Sequence, residues 1–340
     1  MIEKYLIKTE LTKKRWRRFK NRKTSVFAAC CILFMVFLTL TAPIIANNKP
    51  LYLSRGGNSY FPIFKSYTPE DLGVDGLLYV DYRGLEMKEG DYAIWPMIKW
   101  DPFESNKKVE SYPSPPTSEN LLGTDDRGRD VLTRIIYGLR PSLIYSVSVW
   151  FITTILGIIA GGVMGFFGGK VDLVGQRIVE ILSTVPQFFL LIILISIFNP
   201  SMLMLVGVSC LFSWIGISYY VRGEFLKNRK REFVEAARSM GASNAQIIFK
   251  HILPNSLTPL ITYAPFVLAM NILSLASLDF LGFGLEPPTP SWGELMAQAQ
   301  RYYTIAWWLA VYPFLALFIT LTLFNLIGDG VRDAMDPNMA

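Results

Sequence analysis

Five long stretches of this chain carry no charged residue: Thr24–Asn48, Pro141–Gly169, Ile181–Val221, Ile252–Leu278 and Tyr302–Gly328. A bilayer core about 30 Å thick is crossed by about 20 apolar residues in helical form, and a helix satisfies its own backbone hydrogen bonds where no water can. Runs of this length, in a 340-residue chain that is 51% hydrophobic, rule out a pair of soluble domains. Ile181–Val221 is too long for one crossing and breaks at Asn199-Pro200-Ser201, a turn signal. The sequence therefore predicts an all-α polytopic membrane protein with six transmembrane helices and a small soluble extension after the first.

Charge fixes the orientation. Residues 1–24 are crowded with Lys and Arg, with Trp16 and Phe19 among them, and the first span follows at 25–46. Basic flanks stay in the cytoplasm. The basic region is long and no small-x-small cleavage site follows the apolar core, which favours an uncleaved first span over a signal peptide. With six spans both ends lie in the cytoplasm, together with the basic loop 222–254. Residues 47–140 then lie outside, 141–328 form the five remaining spans and their connections, and 329–340 form a cytoplasmic tail. The net charge of +6 comes from residues flanking the apolar runs, so it speaks for membrane topology and against nucleic acid.

The loop 222–254 has a helical grammar. Phe225, Leu226, Phe233, Ala236, Ala237 and Met240 recur at roughly helical spacing. Gly241 is placed to end that helix in the left-handed conformation, and Ser243 with Gln246 is a capping-box pattern for the next. The expectation is a short helix, a sharp turn and a second helix reaching Pro254 at the membrane edge. Ala236 and Ala237 make a smooth patch that another protein's groove can approach, and Glu235 adds one fixed charge. A solvated basic loop obeying the charge rule is the plainer alternative.

On the outer side, Gly123-Thr124-Asp125-Asp126-Arg127-Gly128-Arg129-Asp130 precedes a segment in which Val131, Ile135 and Leu139 share a face while Arg134 falls opposite. This reads as an amphipathic helix lying on the outer membrane surface. The glycines lack the strand and lysine of a phosphate loop. Asp279-Phe280-Leu281-Gly282-Phe283-Gly284 and Ser291-Trp292-Gly293-Glu294 follow the fifth span, where Asp279 reads as capping the outer helix end, with a place facing a substrate path as the alternative. Pro186 is expected to bend the third span, and Arg177 to pair with Glu180. Cys30, Cys31 and Cys210 lie in apolar runs and read as small buried hydrophobes, and with the single His251 they make no metal-ligand spacing. No catalytic Ser–His–Asp set or paired carboxylate is found, and no metal site is expected.

These motifs carry a resemblance. Glu235-Ala236-Ala237, then Gly241, then Leu253-Pro254, resembles the EAA loop of permease subunits of bacterial ABC importers, although the family often has Ile where this chain has His251. Gly123, Thr124, Asp125, Gly128, Arg129 and Asp130 resemble the GTDxxGRD signature of the dipeptide/oligopeptide (and nickel) branch. Leu281-Gly282 with Ser291-Trp292-Gly293, and the C-terminal stretch Gly328–Pro337, resemble further signatures of that branch. The long 49–120 segment, with Ala46–Pro50 and Tyr60-Phe61-Pro62, resembles the subgroup importing peptides and the peptide–nucleotide antibiotic microcin C.

The resemblance implies the type I ABC importer permease architecture in the bacterial inner membrane. The implied partners are a second homologous permease subunit, one or two ATPase subunits, a periplasmic solute-binding protein and membrane lipid. The EAA residues would dock the ATPase. This chain has no GxxxxGK[ST] loop, so no cofactor is expected on it, and ATP and Mg would belong to the partner ATPase. The same machine carrying nickel or another small solute is the alternative. A proton-coupled secondary transporter is disfavoured because its spans would keep ionisable groups, which these runs lack until their ends.

Overall fold

The computed structural model of the chain describes residues 10–74, 80–88, 90–198 and 200–336. The start of the basic segment (1–9), Asn199 of the expected turn and the end of the tail (337–340) lie outside the described residues. The apolar runs are helical. A basic helix α1 (Glu10–Asn21) leads into α2 (Lys23–Leu40) and the short α3 (Ala42–Ile45). The extension follows, with strands β1 (Tyr52–Arg55), β2 (Asn58–Tyr60) and β3 (Tyr92–Ile94). Then come α4 (Val131–Phe167), α5 (Gly169–Ser183), α6 (Gln187–Ile197), α7 (Met202–Asn228) and α8 (Glu232–Ser239). The continuous α9 (Asn244–Phe280), α10 (Trp292–Arg301) and α11 (Trp308–Met335) complete the chain.

Among the described residues five helices are long and apolar enough to cross a membrane: α2, α4, α7, α9 and α11. The third span expected from the sequence is not one helix. Pro186 does more than bend it: α5 stops at Ser183, and Pro186 stands extended (ψ 99°) before α6 begins. A proline ring disfavours the helical conformation in the residue before it and supplies no N–H, and at Pro186 the helix gives way. The 11 residues of α6 rise only about 16 Å, half a bilayer core. Contacts show what the segment does. Gly157 meets Ile217 and Gly165 meets Phe225, so α4 and α7 run parallel, and the chain between them has to return along the bundle. Val179 of α5 packs near Met164, and Leu191 of α6 near Tyr145 and Leu205, so the return is made in two pieces.

The expected surface helix before Pro141 is also corrected. Val131–Phe167 is one 37-residue helix, with Pro141 inside it. Asp130 caps it by accepting from Thr133 N at 2.8 Å. The first turns are buried under the extension and α10 instead of lying in an interface, and Arg134 is 0% exposed.

The tightest packing joins α4 to α7. Gly157, Gly161 and Gly165 are spaced four apart, and a Cβ on Gly161 would sit 2.9 Å from Val221 Cβ and 3.0 Å from Arg222 N. Small residues at this spacing let helix backbones approach in lipid, where dispersion and not hydrophobic burial holds helices together. The core between α9, α11 and the start of α4 is made by Leu139, Ala269, Ile272, Leu317 and Phe324. Outward-facing Phe27, Leu33, Phe34 and Phe37 on α2 and Phe314 and Phe318 on α11 give the bundle a lipid-compatible exterior. Of the three cysteines only Cys210 is buried; Cys30 is exposed and Cys31 half-buried on α2, because a first span at the periphery of the bundle turns much of its surface to lipid.

All-α describes the bundle but not the extension. There an antiparallel sheet of order β2-β1-β3 pairs Leu53 with both Tyr60 and Ala93. Gly56 and Gly57, at φ 56° and 78°, form the two-residue turn between β1 and β2, which needs positive φ at both positions. Leu53, Leu72 and Tyr82 make a small core. Backbone bonds between Ile45, Asn47 and Ile98 tie this unit to the end of α3.

Candidate functional site

The two candidate regions occupy opposite ends of the bundle. One end gathers both described termini, α5 and α8. Arg18 Nη1 donates to Asp336 O at 2.8 Å, Arg22 pairs with Asp333, and Ser25 Oγ donates to Leu326 O at 2.7 Å.

At this end α8 is held by its own chain on one side only. Val234 and Ala237 are buried against Phe225, Ile247 and Ile252. Phe233, Ala236 and Met240 share the flanking edge at helical spacing and are exposed, Met240 to 80%. The sequence suggests one patch for Ala236 and Ala237; in the structure they part, because adjacent residues on a helix are about 100° apart and the core takes one of them. Glu235 is exposed beside Ala236. Gly241, at φ 84°, closes α8: its N–H donates to Arg238 O and that of Ala242 to Ala237 O, each at 3.0 Å, the paired bonds of a Schellman stop.

The expected capping box is present, with Ser243 Oγ accepting from Gln246 N at 3.3 Å and Gln246 Oε1 accepting from Ser243 N at 2.9 Å. The second helix does not end at Pro254. It passes through a π-turn, Ile247–Ile252, into Leu253–Phe280 without a break. Pro254 lies in the first α-helical turn after the π segment, where the missing N–H does least harm. Leu253 is half-buried and Pro254 exposed.

The base of this loop is braced. Arg229 Nη1 donates to the carbonyls of Gly165 and Phe166 at 3.2 and 3.1 Å, closing the C-terminal end of α4 with a cation. Arg222 forms a two-point pair with Asp172, Nη2 to Oδ2 at 2.7 Å. The hydrogen bond from Arg222 holds the Asp172 carboxyl below its ordinary range, against a smaller opposing effect of burial. Asn228 Nδ2 donates to Ser256 Oγ at 3.2 Å.

The other end holds the glycine- and charge-rich stretch. Asp125 Oδ1 accepts from Arg127 N (3.0 Å) and Arg129 N (2.8 Å), and its Oδ2 pairs with Arg129 Nε at 2.6 Å. Glu294, from the first turn of α10, pairs with Arg129 at 3.1 Å and closely with Arg134. Arg134 also donates to the carbonyls of Pro102 and Pro288 at 3.0 and 3.2 Å. Asp130 accepts from Asn120 Nδ2 at 2.9 Å; burial nevertheless raises its carboxyl above the ordinary value. Burial, then the carboxylates of Asp125 and Glu294, likewise raise Asp126.

The remaining signature residues support this clamp. Trp308 Nε1 donates to Thr124 O at 3.0 Å, and a Cβ on Gly123 would lie 2.8 Å from that indole nitrogen. A Cβ on Gly128 would collide with the Tyr112 ring. Trp292 Nε1 donates to Ile135 O at 2.9 Å. Ser291 caps α10 and bonds the Asp279 carboxylate, which also accepts from Leu285 N at 2.7 Å, so Asp279 ties the end of α9 to its following loop instead of capping the free carbonyls of that helix end. Gly293 allows α10 to approach α9, since a Cβ there would come 2.6 Å from Asp279 Cβ. Asp125, Arg129, Arg134 and Glu294 are sequestered and mutually paired, which makes a mechanical joint between α4, α10 and the extension. No group of three or more His, Cys, Asp or Glu able to hold a metal occurs among the described residues. Periodicity assigns Arg134 to the outward face; only the fold reveals that the extension covers it.

Residues 153–340 match the family described as binding-protein-dependent transport system inner membrane component, and residues 10–62 match the N-terminal TM domain of oligopeptide transport permease C. The chain is 39% identical over 334 residues to the inner membrane ABC transporter permease protein YejE of Escherichia coli, covering 96% of this chain and 97% of that one. It is 36% identical over 355 residues to the peptidoglycan transport system permease protein YejE of Agrobacterium fabrum, covering 96% and 93%. The oligopeptide transport system permease protein OppC of Haemophilus influenzae is 39% identical over 238 residues, covering 70% and 74%. Among solved structures, an inward-facing conformation of the MetNI methionine ABC transporter aligns with 60% of this chain and 97% of its own at 20% identity and a TM-score of 0.46.

Proposed function

The chain belongs to the family of binding-protein-dependent transport system inner membrane components, and from that premise we propose that it is one of the membrane-spanning subunits of an ATP-driven peptide importer. It works with a second permease chain, ATPase subunits on the cytoplasmic side and a solute-binding protein outside. The observation that carries this reading is α8: a short helix fixed to its own bundle through Val234 and Ala237 while Phe233, Ala236 and Met240 are left at the surface. An apolar edge with an adaptable methionine is suited to a groove on another subunit. Because Phe225, Ile247 and Ile252 pack on its inner side, a push on α8 is passed to α7 and α9 together.

Peptides are the proposed cargo, in line with the oligopeptide and dipeptide permeases among the relatives. Two relatives extend over 96% of this chain, extension included, and one of them is named for peptidoglycan transport. Peptide-bearing cell-wall fragments are therefore the narrower substrate class we favour. Microcin C-like peptide conjugates share the amide backbone and fall within the broader peptide cargo; nickel does not.

The test is uptake by the assembled transporter with Glu235→Ala and Gly241→Val combined. Peptide uptake is expected to fall at least tenfold while ATP hydrolysis by the complex persists without coupling to it. Ala236→Glu, on the exposed edge, is expected to weaken retention of the ATPase during purification without lowering the amount of folded chain. Uptake at the unaltered rate in the double variant would refute the docking role. Competition of uptake by nickel and not by peptides would refute the substrate class.

A further inference from the structure

Midway along the bundle, α4, α7 and α9 leave a cavity of about 240 Å³ between them. Its wall on α4 includes Trp150 and Thr154, and on α7 Gly216 and Tyr220. Tyr263 and Asn271 of α9 complete it, and no lining residue is charged.

Several features set this cavity apart from a packing void. A threonine in a membrane helix ordinarily donates to the carbonyl a turn earlier, as Thr153 does to Val149 O at 2.7 Å. The adjacent Thr154 does not: its Oγ1 is buried and has no hydrogen-bond partner. An unpaired hydroxyl in hydrocarbon is costly, so this one, closed off from solvent here, calls for a partner that the chain itself does not supply. Asn271 donates one amide N–H to Ser146 O at 3.2 Å, which leaves its carbonyl oxygen for a ligand. Tyr220 and Tyr263 stand at the rim with ring centroids 5.5 Å apart, and both are about half exposed. Gly216 has nothing within 4 Å of where a Cβ would lie, although the neighbouring residues of α7 are in close contact with α4.

We propose that this cavity is this chain's share of the solute path, receiving the uncharged amide backbone of a peptide through Thr154, Asn271 and the Tyr220–Tyr263 pair. The proposal rests on the peptide-importer reading and extends it to named residues. Hydroxyl, amide and phenol groups match peptide N–H and C=O groups, and aromatic faces accept varied side chains. A bare metal cation would meet no counter-charge here.

The open space beside Gly216 supplies the test, because a side chain added there fills the cavity without disturbing the α4–α7 contact. In the assembled transporter, Gly216→Phe is expected to lower uptake of labelled trialanine at least tenfold, with the chain still present in the membrane and co-purifying with its partners. Gly207→Phe, on the same helix and also facing open space, is the control for bulk alone. Independently, Thr154→Cys, with Cys30 and Cys31 replaced by Ala, is expected to react with a charged water-soluble thiol reagent, and trialanine should slow that reaction. Unaltered transporter that takes up trialanine while Gly216→Phe does so equally well would overturn the path and leave the importer reading intact. Failure of the Thr154→Cys variant to react would also overturn it. If that variant reacts but unaltered transporter moves no trialanine, the wet path stands and the peptide reading fails.

Discussion

Adding one methyl group to Gly161 should loosen the α4–α7 pair, whereas adding it to Gly216 should not. At Gly161 the new Cβ would lie 2.9 Å from Val221 Cβ. Non-bonded carbons rest about 3.5–4.0 Å apart, so the helices must separate by about 0.6 Å or more at that point. The neighbouring Ser218 carbonyl and Arg222 nitrogen are backbone atoms, which cannot swing aside as a side chain would. Overpacking of a well-filled interface costs about 1–3 kcal/mol. Glycine-to-alanine exchange within a helix by itself gains up to about 1 kcal/mol. Gly161→Ala therefore comes out destabilising or at best neutral, and Gly216→Ala, where nothing lies within 4 Å, comes out stabilising. The two variants test opposite signs of one chemical change. The assay is thermal denaturation of the purified complex, read as loss of monodisperse elution after heating. About 2 °C is expected for each kcal/mol in a chain of this size. Gly161→Ala surviving heating as well as Gly216→Ala would refute the claim that close backbone approach is what glycine secures here.

Three further outcomes follow from the joints at the bundle ends. Asp130→Ala removes the cap of α4 and should cost about 1–2 kcal/mol, while Asp130→Asn, which keeps an acceptor for Thr133 and has no charge to desolvate, should cost less; thermal denaturation distinguishes them. Glu294→Ala leaves the buried Arg134 without its close carboxylate and should lower the same denaturation temperature by more than Glu286→Ala, which lies outside the clamp. The folded-state value of Asp172 is depressed, so its pairing with Arg222 contributes stability above the unfolded-state value that is lost as pH falls through the folded one. Acid should therefore open the α5–α7 brace, read as protease cleavage near residues 168–186, and Asp172→Asn should show that cleavage already at neutral pH and remove the acid step.

Much of this protein was legible in its sequence because lipid makes composition decisive. Four of the uncharged runs have the length of a span and are helices, since the bilayer admits no other local solution for an unpaired backbone. The stop at Gly241 and the box at Ser243 and Gln246 were equally readable, because those bonds join residues three to five apart. Two further signals lay in the sequence unread: Gly56-Gly57 between short β-rich segments, and the four-residue spacing of Gly157, Gly161 and Gly165. Other outcomes depended on partners far along the chain. Whether Ala236 or Ala237 faces out was decided by Phe225, Ile247 and Ile252. Whether Arg134 is wetted or sealed was decided by Glu294 and the carbonyls of Pro102 and Pro288. Periodicity specifies that a helix has two faces, but only the packed chain decides which neighbour covers each of them.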